Sequence, residues 1–134
     1  MDTDTEELIA LSEPECGSRE LELISSVLYS GRWSDGVMLE SFEAAFANWV
    51  GRKHALAVSS GTLGVWITLR AWGIGPGDEV VCASHSWHQV AQAITLIGAT
   101  PVFADINYWT GCLSAEKAAL KITERTKAIL AGNT

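Results

Sequence analysis

From residue 54 onward, short apolar segments alternate with segments of helical periodicity, and this alternation restricts the fold more than any other feature. The apolar segments predict four buried strands, at residues 55–58, 80–83, 101–104 and 127–131. The periodic segments between them predict three helices, at residues 61–72, 87–97 and 114–122. Strand–helix–strand units in succession are typical of an α/β fold. We therefore expect a mainly parallel sheet with helices on both of its faces.

Two more helices are predicted ahead of the first strand. Residues 19–28 carry apolar side chains on one helical face, and residues 29–36 form a turn-rich loop. Leu39, Phe42, Phe46 and Trp49 then recur at near-helical spacing before Gly51. An aromatic stripe of this kind is more often part of a core than of a cofactor site, so we expect it to be buried.

The acidic charge of the chain lies at its beginning. Residues 1–22 carry the whole net charge of −7, and the remainder is neutral. We expect residues 1–18 to form an acidic, mobile leader and residues 19–134 to fold. A neutral folded part lacks the clustered basic face of a nucleic-acid-binding protein.

The composition also bears on compartment and metal binding. No segment approaches the ~20 apolar residues that span a membrane, and residues 1–10 lack the basic region of a secretory signal. The three cysteines are scattered, which fits a reducing compartment better than a disulfide framework or a zinc site. We expect a cytoplasmic protein that binds no membrane and no metal.

The sequence SSGT at residues 59–62 connects the first predicted strand to a helix. Such a connection directs free backbone N–H groups and the positive end of a helix dipole toward one small anion. Hydroxyl groups on Ser60 and Thr62 can add hydrogen bonds, and Gly61 permits close approach. A phosphate group is the natural ligand. The alternative is an ordinary strand–helix connection with a serine or threonine N-cap.

Other polar and aromatic segments follow the neighbouring predicted strands. Ligands of open parallel sheets bind at the carboxyl ends of the strands. Three segments lie at these ends, residues 59–62, 84–88 and 105–108. We therefore expect the phosphate-binding segment, an aromatic cluster and a carboxylate to share one edge of the sheet.

Several ordered motifs resemble one known family. They are SGRW at residues 30–33, FEAAF at 42–46, SGTLG at 60–64, GIGPGDEVV at 73–81, SHSW at 84–87, GATPVFADI at 98–106 and RTKAIL at 125–130. In order and spacing they are similar to the DegT/DnrJ/StrS family of pyridoxal-phosphate-dependent sugar aminotransferases. The resemblance begins near residue 20 and implies the N-terminal part of the large domain of the type I, aspartate-aminotransferase-like fold.

The resemblance assigns cofactor-binding residues. Gly61 and Thr62 match the pair whose backbone amides bind the cofactor phosphate, and Ser60 is the serine before them. Trp87 matches the aromatic residue that stacks on the pyridine ring, although it could instead be a core residue at a helix start. Asp105 matches an aspartate that we interpret as structural.

The resemblance also suggests a contact on the substrate side. Arg32 and Trp33 match a loop that lies near the active site in dimers of this family. His85 and His88 match no transferable role, so we interpret both as structural residues or residues at the edge of the site.

The catalytic lysine of such enzymes has no match in this chain. The family's chemistry needs a lysine that forms a Schiff base with the cofactor and an acidic partner for the pyridinium nitrogen. The four lysines, at positions 53, 117, 121 and 127, do not match the family's catalytic position. We therefore assign no catalytic residue and expect the chain to be inactive alone.

Several hypotheses for function follow. The first is an aminotransferase that moves an amino group from an amino acid to a keto-sugar nucleotide. The complete enzyme would be a homodimer, and this chain would hold half of a cofactor site. The second is a non-catalytic remnant or binding module. The family's dehydratase branch, in which histidine replaces the lysine, is a further alternative. A nucleotide-binding α/β module is disfavoured, because no GxGxxG motif follows the first strand and no lysine completes a phosphate loop.

Overall fold

The computed structural model describes residues 12–132. The chain divides into two compact units, one ending at Ala57 and the other beginning at Val58. Most of the acidic leader predicted at residues 1–18 lies outside the described residues. Residues 12–17 are exposed and belong to no helix or strand. Among the described residues, no helix is long and apolar enough to cross a membrane.

The first unit contains the two predicted helices. Helix α1 spans Ser18–Ser30 and helix α2 spans Val37–Trp49. The N–H of Gly17 donates to the Glu20 carboxylate at 2.7 Å, which lowers the pKa of Glu20. Helix α1 ends at Gly31, whose φ of 70° lies in the left-handed region that glycine adopts without strain.

The aromatic stripe of α2 is exposed, so the prediction that it forms core is wrong. Phe42 is 59% exposed and Trp49 is 80% exposed. Only Ala47 of α2 is buried, and no residue of α1 is. Within the first unit, two helices alone cannot enclose large rings. The rings instead contact one another along α2, with centroids 5.9 Å apart for Phe42 and Phe46 and 5.8 Å apart for Phe46 and Trp49.

The second unit alternates helices and strands as predicted. Its elements are α3 at Gly61–Ala71, β1 at Glu79–Ala83, α4 at His88–Leu96, β2 at Thr100–Ala104, α5 at Ala115–Ala119 and β3 at Thr126–Leu130. Helix α5 is shorter than the helix predicted at residues 114–122. Its N-cap is Ser114, as expected, and the serine hydroxyl oxygen accepts a hydrogen bond from the N–H of Lys117.

The three strands form one parallel sheet in the order β2-β1-β3. The central strand β1 is buried over its whole length, as a continuous apolar run predicts. The chain passes from β1 through α4 to β2, and from β2 through α5 to β3. The predicted α/β class with a parallel sheet is confirmed.

The strand predicted at residues 55–58 is absent. These residues are in no strand, and Leu56 is 73% exposed. A strand requires a hydrogen-bonded neighbour, and no described strand pairs with this segment. The N–H of Ala57 donates instead to the Glu43 side chain at 2.8 Å. An apolar segment of this length therefore need not form a strand.

The core of the second unit lies on both faces of the sheet. On one face, Val80 and Cys82 of β1 pack with Leu69 of α3 and Ile94 of α4. On the other face, Val81 packs with the buried alanines of β2 and α5. Successive residues of β1 thus alternate between the two faces, as the geometry of a strand requires. The predicted cover of helices on both faces is confirmed.

One buried carboxylate connects the start of β1 to the segment before β3. Glu79 is 5% exposed and accepts a hydrogen bond from the Thr123 hydroxyl at 2.6 Å. It also forms an ion pair with the largely exposed Arg125. The backbone adds a third link, because the Glu79 N–H donates to the Arg125 carbonyl at 2.8 Å. A buried charge with such partners stabilises this corner of the sheet.

We expect Glu79→Ala to lower the free energy of unfolding by about 1–3 kcal/mol, because it removes a charged hydrogen bond and leaves the Thr123 hydroxyl without its partner. Urea unfolding followed by circular dichroism measures the change. The matched control is Glu124→Ala, which alters an exposed carboxylate in the same segment and should change stability by less than ~0.5 kcal/mol. Equal effects of the two substitutions would contradict a structural role for Glu79.

Candidate functional site

A pocket of about 470 Å³ lies between the first turns of α3 and α4. All of its lining residues belong to the second unit: Ser60, Gly61, Thr62, Val65, Trp87, Gln89 and Val90. Residues 60–62 lie at the start of α3, and Trp87 lies between β1 and α4. The structure therefore brings together two of the three segments that are predicted to share one edge of the sheet.

The first turn of α3 offers two backbone donors. Ser60 is the N-cap, and its hydroxyl oxygen accepts a hydrogen bond from the N–H of Leu63 at 3.2 Å. The Ser60 carbonyl accepts from the N–H of Gly64 at 3.0 Å. Within residues 12–132, no group accepts from the N–H of Gly61 or Thr62. Two free N–H groups and the positive end of the helix dipole thus border the pocket.

Gly61 leaves space beside these donors. Apart from its chain neighbours and the backbone of its own helix, a Cβ atom added at this position would meet no atom within 4 Å. The φ angle of Gly61 is not in the left-handed region, so the backbone does not require glycine here. Glycine at this position therefore leaves the backbone N–H groups accessible and is not needed for the backbone conformation.

Trp87 borders the pocket from the start of α4. It is the N-cap residue of α4 and is 77% exposed, so the alternative that it is a core residue is wrong. A rigid, exposed indole offers a flat apolar surface at low entropic cost. This geometry suits an aromatic ligand whose polar end reaches the first turn of α3.

The pocket also contains residues that the sequence patterns did not single out. Val65 and Val90 are half-buried apolar residues that line it. Gln89 also lines the pocket. Its Oε1 atom is buried and has no hydrogen-bond partner within residues 12–132. The only signal for Gln89 in the sequence is a polar residue in the first turn of a predicted helix, and that signal is weak.

Other predicted residues lie elsewhere. Asp105 does not line the pocket, and its carboxylate accepts a hydrogen bond from the N–H of Ile106 at 2.9 Å. Arg32 and Trp33 belong to the first unit, where Arg32 forms an exposed ion pair with Asp35. The Nε1–H of Trp33 donates to the Leu28 carbonyl at 3.3 Å. The substrate contact assigned to Arg32 and Trp33 stays a prediction.

Lysine and cysteine side chains lie outside this pocket in the part of the chain that the structure describes. None of the lysines in residues 12–132 lines it, and all four are exposed. Cys82 is buried under α4, and this burial raises the pKa of its thiol. A buried thiol with a raised pKa is a poor nucleophile. The described residues therefore build a binding pocket without a Schiff-base lysine.

Residues 14–134 match the sequence profile of the DegT/DnrJ/EryC1/StrS aminotransferase family. This match covers nearly the whole chain. The chain belongs to this family. The resemblance inferred from the ordered motifs is confirmed.

Several solved structures share this fold. DesV from S. venezuelae is 40% identical, with a TM-score of 0.79 over 82% of this chain and 30% of its own. NtdA from Bacillus subtilis, solved with bound cofactor PMP, is 35% identical, with a TM-score of 0.79 over 83% of this chain and 26% of its own. An aminotransferase from Psychrobacter cryohalolentis is 36% identical, with a TM-score of 0.82 over 88% of this chain and 30% of its own.

The chain spans less than a third of the length of these three structures. The similarity extends across both described units, since it covers more than four fifths of the chain. The expected fold, part of a PLP-dependent aminotransferase, is confirmed for the residues that the chain contains.

Proposed function

We propose that this chain is the part of a PLP-dependent sugar aminotransferase that binds the phosphate and the ring of the cofactor. One observation carries the proposal: Ser60, Gly61, Thr62 and Trp87 line the same pocket. A cluster of N–H donors at a helix N-terminus suits a phosphate, and an exposed indole suits an aromatic ring. Pyridoxal phosphate carries both groups in one small molecule.

The N–H groups of Gly61 and Thr62 would hold the phosphate. They have no acceptor among residues 12–132, and the space beside Gly61 lets an anion reach the backbone. The Ser60 hydroxyl already accepts from Leu63, but its own hydrogen can still donate to a phosphate oxygen. The N-cap role and the phosphate-binding role of Ser60 are therefore compatible.

Trp87 would orient the ring and limit its contact with water. The face of the indole is free to stack because most of the side chain is exposed. Val65 and Val90 add apolar surface to the same pocket. The pocket thus has a polar end at α3 and an apolar wall, which is how a site distinguishes the two ends of such a ligand.

When bound, pyridoxal phosphate supplies an aldehyde carbon that can take up an amino group and a ring that withdraws electrons. The described residues bind and orient; they offer no lysine in the pocket. We propose that the whole protein transfers an amino group from an amino acid to a keto-sugar nucleotide. The resemblance also suggests a homodimer, with the lysine and the pyridinium partner in parts of the protein outside this chain, and the composition suggests a cytoplasmic location.

A second candidate is cofactor binding without catalysis. This candidate is favoured because no lysine of residues 12–132 lines the pocket. In that case the chain would bind the cofactor but transfer no amino group. Both candidates require the pocket to bind the cofactor, so binding is the property to test first.

Trp87→Ala should weaken binding of pyridoxamine 5′-phosphate to this chain by about three- to tenfold, because the ring loses its stacking surface. This amine form of the cofactor cannot form Schiff bases with the exposed lysines. Isothermal titration calorimetry gives the dissociation constants.

The matched control is Trp109→Ala, which removes an exposed tryptophan outside the pocket and should leave the affinity unchanged. An unaltered affinity in Trp87→Ala would contradict the ring-binding role. Absence of binding to the unmodified chain, with ATP bound instead, would favour the nucleotide-binding alternative.

A further inference from the structure

Gln89 lines the candidate pocket but has no role in the proposed function so far. It lies in the first turn of α4, two residues after Trp87, and is half-buried. Its Oε1 atom is buried without a hydrogen-bond partner among residues 12–132. A buried, unsatisfied acceptor destabilises a folded protein, so its presence calls for an explanation.

The other end of the carboxamide is accessible. Within the described part of the chain, no group accepts a hydrogen bond from Nε2 of Gln89, and only Oε1 is both buried and unsatisfied. Nε2 is therefore not fully buried, and the residue that carries it lines the pocket. Nε2 carries two N–H donors and no acceptor. The carboxamide thus keeps its acceptor in the protein and its donors accessible.

This orientation matches the charge of a phosphate. The pocket already has free N–H groups on Gly61 and Thr62, and a carboxamide presenting Nε2 extends the same set of donors. A phosphate oxygen accepts hydrogen bonds and carries negative charge, so it attracts Nε2 and repels Oε1. A bound phosphate would therefore favour the side-chain orientation that, without ligand, costs free energy because Oε1 lacks a partner.

We propose that Gln89 donates a hydrogen bond through Nε2 to the phosphate of the ligand in this pocket. The proposal rests on the proposed function, because it assigns a further binding residue to the same site. It explains why a polar side chain lines the pocket beside Val65 and Val90. It also predicts opposite effects of one substitution on stability and on binding.

Gln89→Met tests the proposal, since methionine has a similar size and no polar end. Its affinity for pyridoxamine 5′-phosphate should fall about tenfold. Its affinity for inorganic phosphate should fall by the same factor, because the lost contact is to the phosphate. Without ligand, its Tm should rise by ~2–6 °C, because the unsatisfied acceptor is gone. Calorimetric titration and thermal unfolding measure these quantities.

Two further variants sharpen the result. Gln92→Met makes the same change at an exposed position of α4 outside the pocket and should leave both affinities unchanged. Gln89→Glu replaces the donor with a carboxylate and should weaken phosphate binding more than Gln89→Met does, because like charges repel.

The outcomes separate this proposal from the proposed function. If the unmodified chain binds inorganic phosphate but not pyridoxamine 5′-phosphate, the cofactor assignment fails while the Gln89 contact can still be measured with phosphate. If Gln89→Met keeps both affinities, the role of Gln89 is wrong and the cofactor site stands. If only the affinity for pyridoxamine 5′-phosphate falls, Gln89 contacts the ring instead, and the phosphate contact is refuted.

Discussion

Gly61→Ala is expected to weaken binding of pyridoxamine 5′-phosphate to this chain at least tenfold while leaving the fold intact. Apart from its chain neighbours and the backbone of its own helix, the added methyl group meets no atom within 4 Å, so the fold has room for it. It would stand beside the free N–H groups of Gly61 and Thr62, where the phosphate has to approach. Replacing glycine with alanine at a compatible φ stabilises a protein by about 0.4–1 kcal/mol, because the unfolded chain loses freedom, so stability should hold or rise.

The matched control lies in the same helix. Gly64→Ala adds the same methyl group outside the pocket, 3.4 Å from the Val58 side chain, which is ordinary van der Waals contact. It should keep the affinity and gain similar helix stability. Calorimetric titration compares the dissociation constants, and circular dichroism compares the folds. Equal affinities in Gly61→Ala, Gly64→Ala and the unmodified chain would show that the phosphate does not lie at the first turn of α3.

Leu69→Ala is expected to lower the free energy of unfolding by about 2–5 kcal/mol. Leu69 is fully buried and packs against Val80, Cys82 and Ile94 on one face of the sheet. Truncation removes apolar surface from the core and leaves a cavity that rigid strands cannot fill. Small domains are stable by about 5–15 kcal/mol in total. One side chain should thus account for a large fraction of the stability of the second unit.

Urea unfolding followed by tryptophan fluorescence measures this loss, because the partly buried Trp66 packs against the same cluster. The control is Leu96→Ala, the same truncation near the end of α4, where the side chain is 64% exposed. It should cost less than ~1 kcal/mol, since little apolar area is removed from a buried position. A loss below ~1 kcal/mol in Leu69→Ala would contradict the packing of α3 on the sheet.

Local patterns in the sequence were sufficient to predict most elements of the second unit. Helix α4 ends where Gly98 follows it with a φ of 86°, and Ser60 and Ser114 cap the helices that they precede. The continuous apolar run of β1 predicted a strand buried on both faces. These signals act within a few residues of the chain, through dihedral preference, capping and periodicity, so a single sequence contains them.

The candidate site was predicted in part. Residues 60–62 were singled out because a helix start after an apolar segment has a recognisable local pattern, and Trp87 was singled out because it matches an ordered family motif. Gln89 was missed, since the burial of one atom and the lack of a partner are properties of its surroundings. The shared pocket likewise depends on how α3 and α4 pack.

Burial was the property that the one-dimensional patterns predicted least well. The stripe of Phe42 and Trp49 has the periodicity of a core face, and residues 55–58 have the composition of a buried strand. In the structure the stripe is exposed and the segment is unpaired. Periodicity places apolar side chains on one face, but only a neighbouring layer or strand can bury that face or pair that backbone. The elements follow from local interactions along the chain, whereas core, sheet and pocket follow from contacts between distant segments.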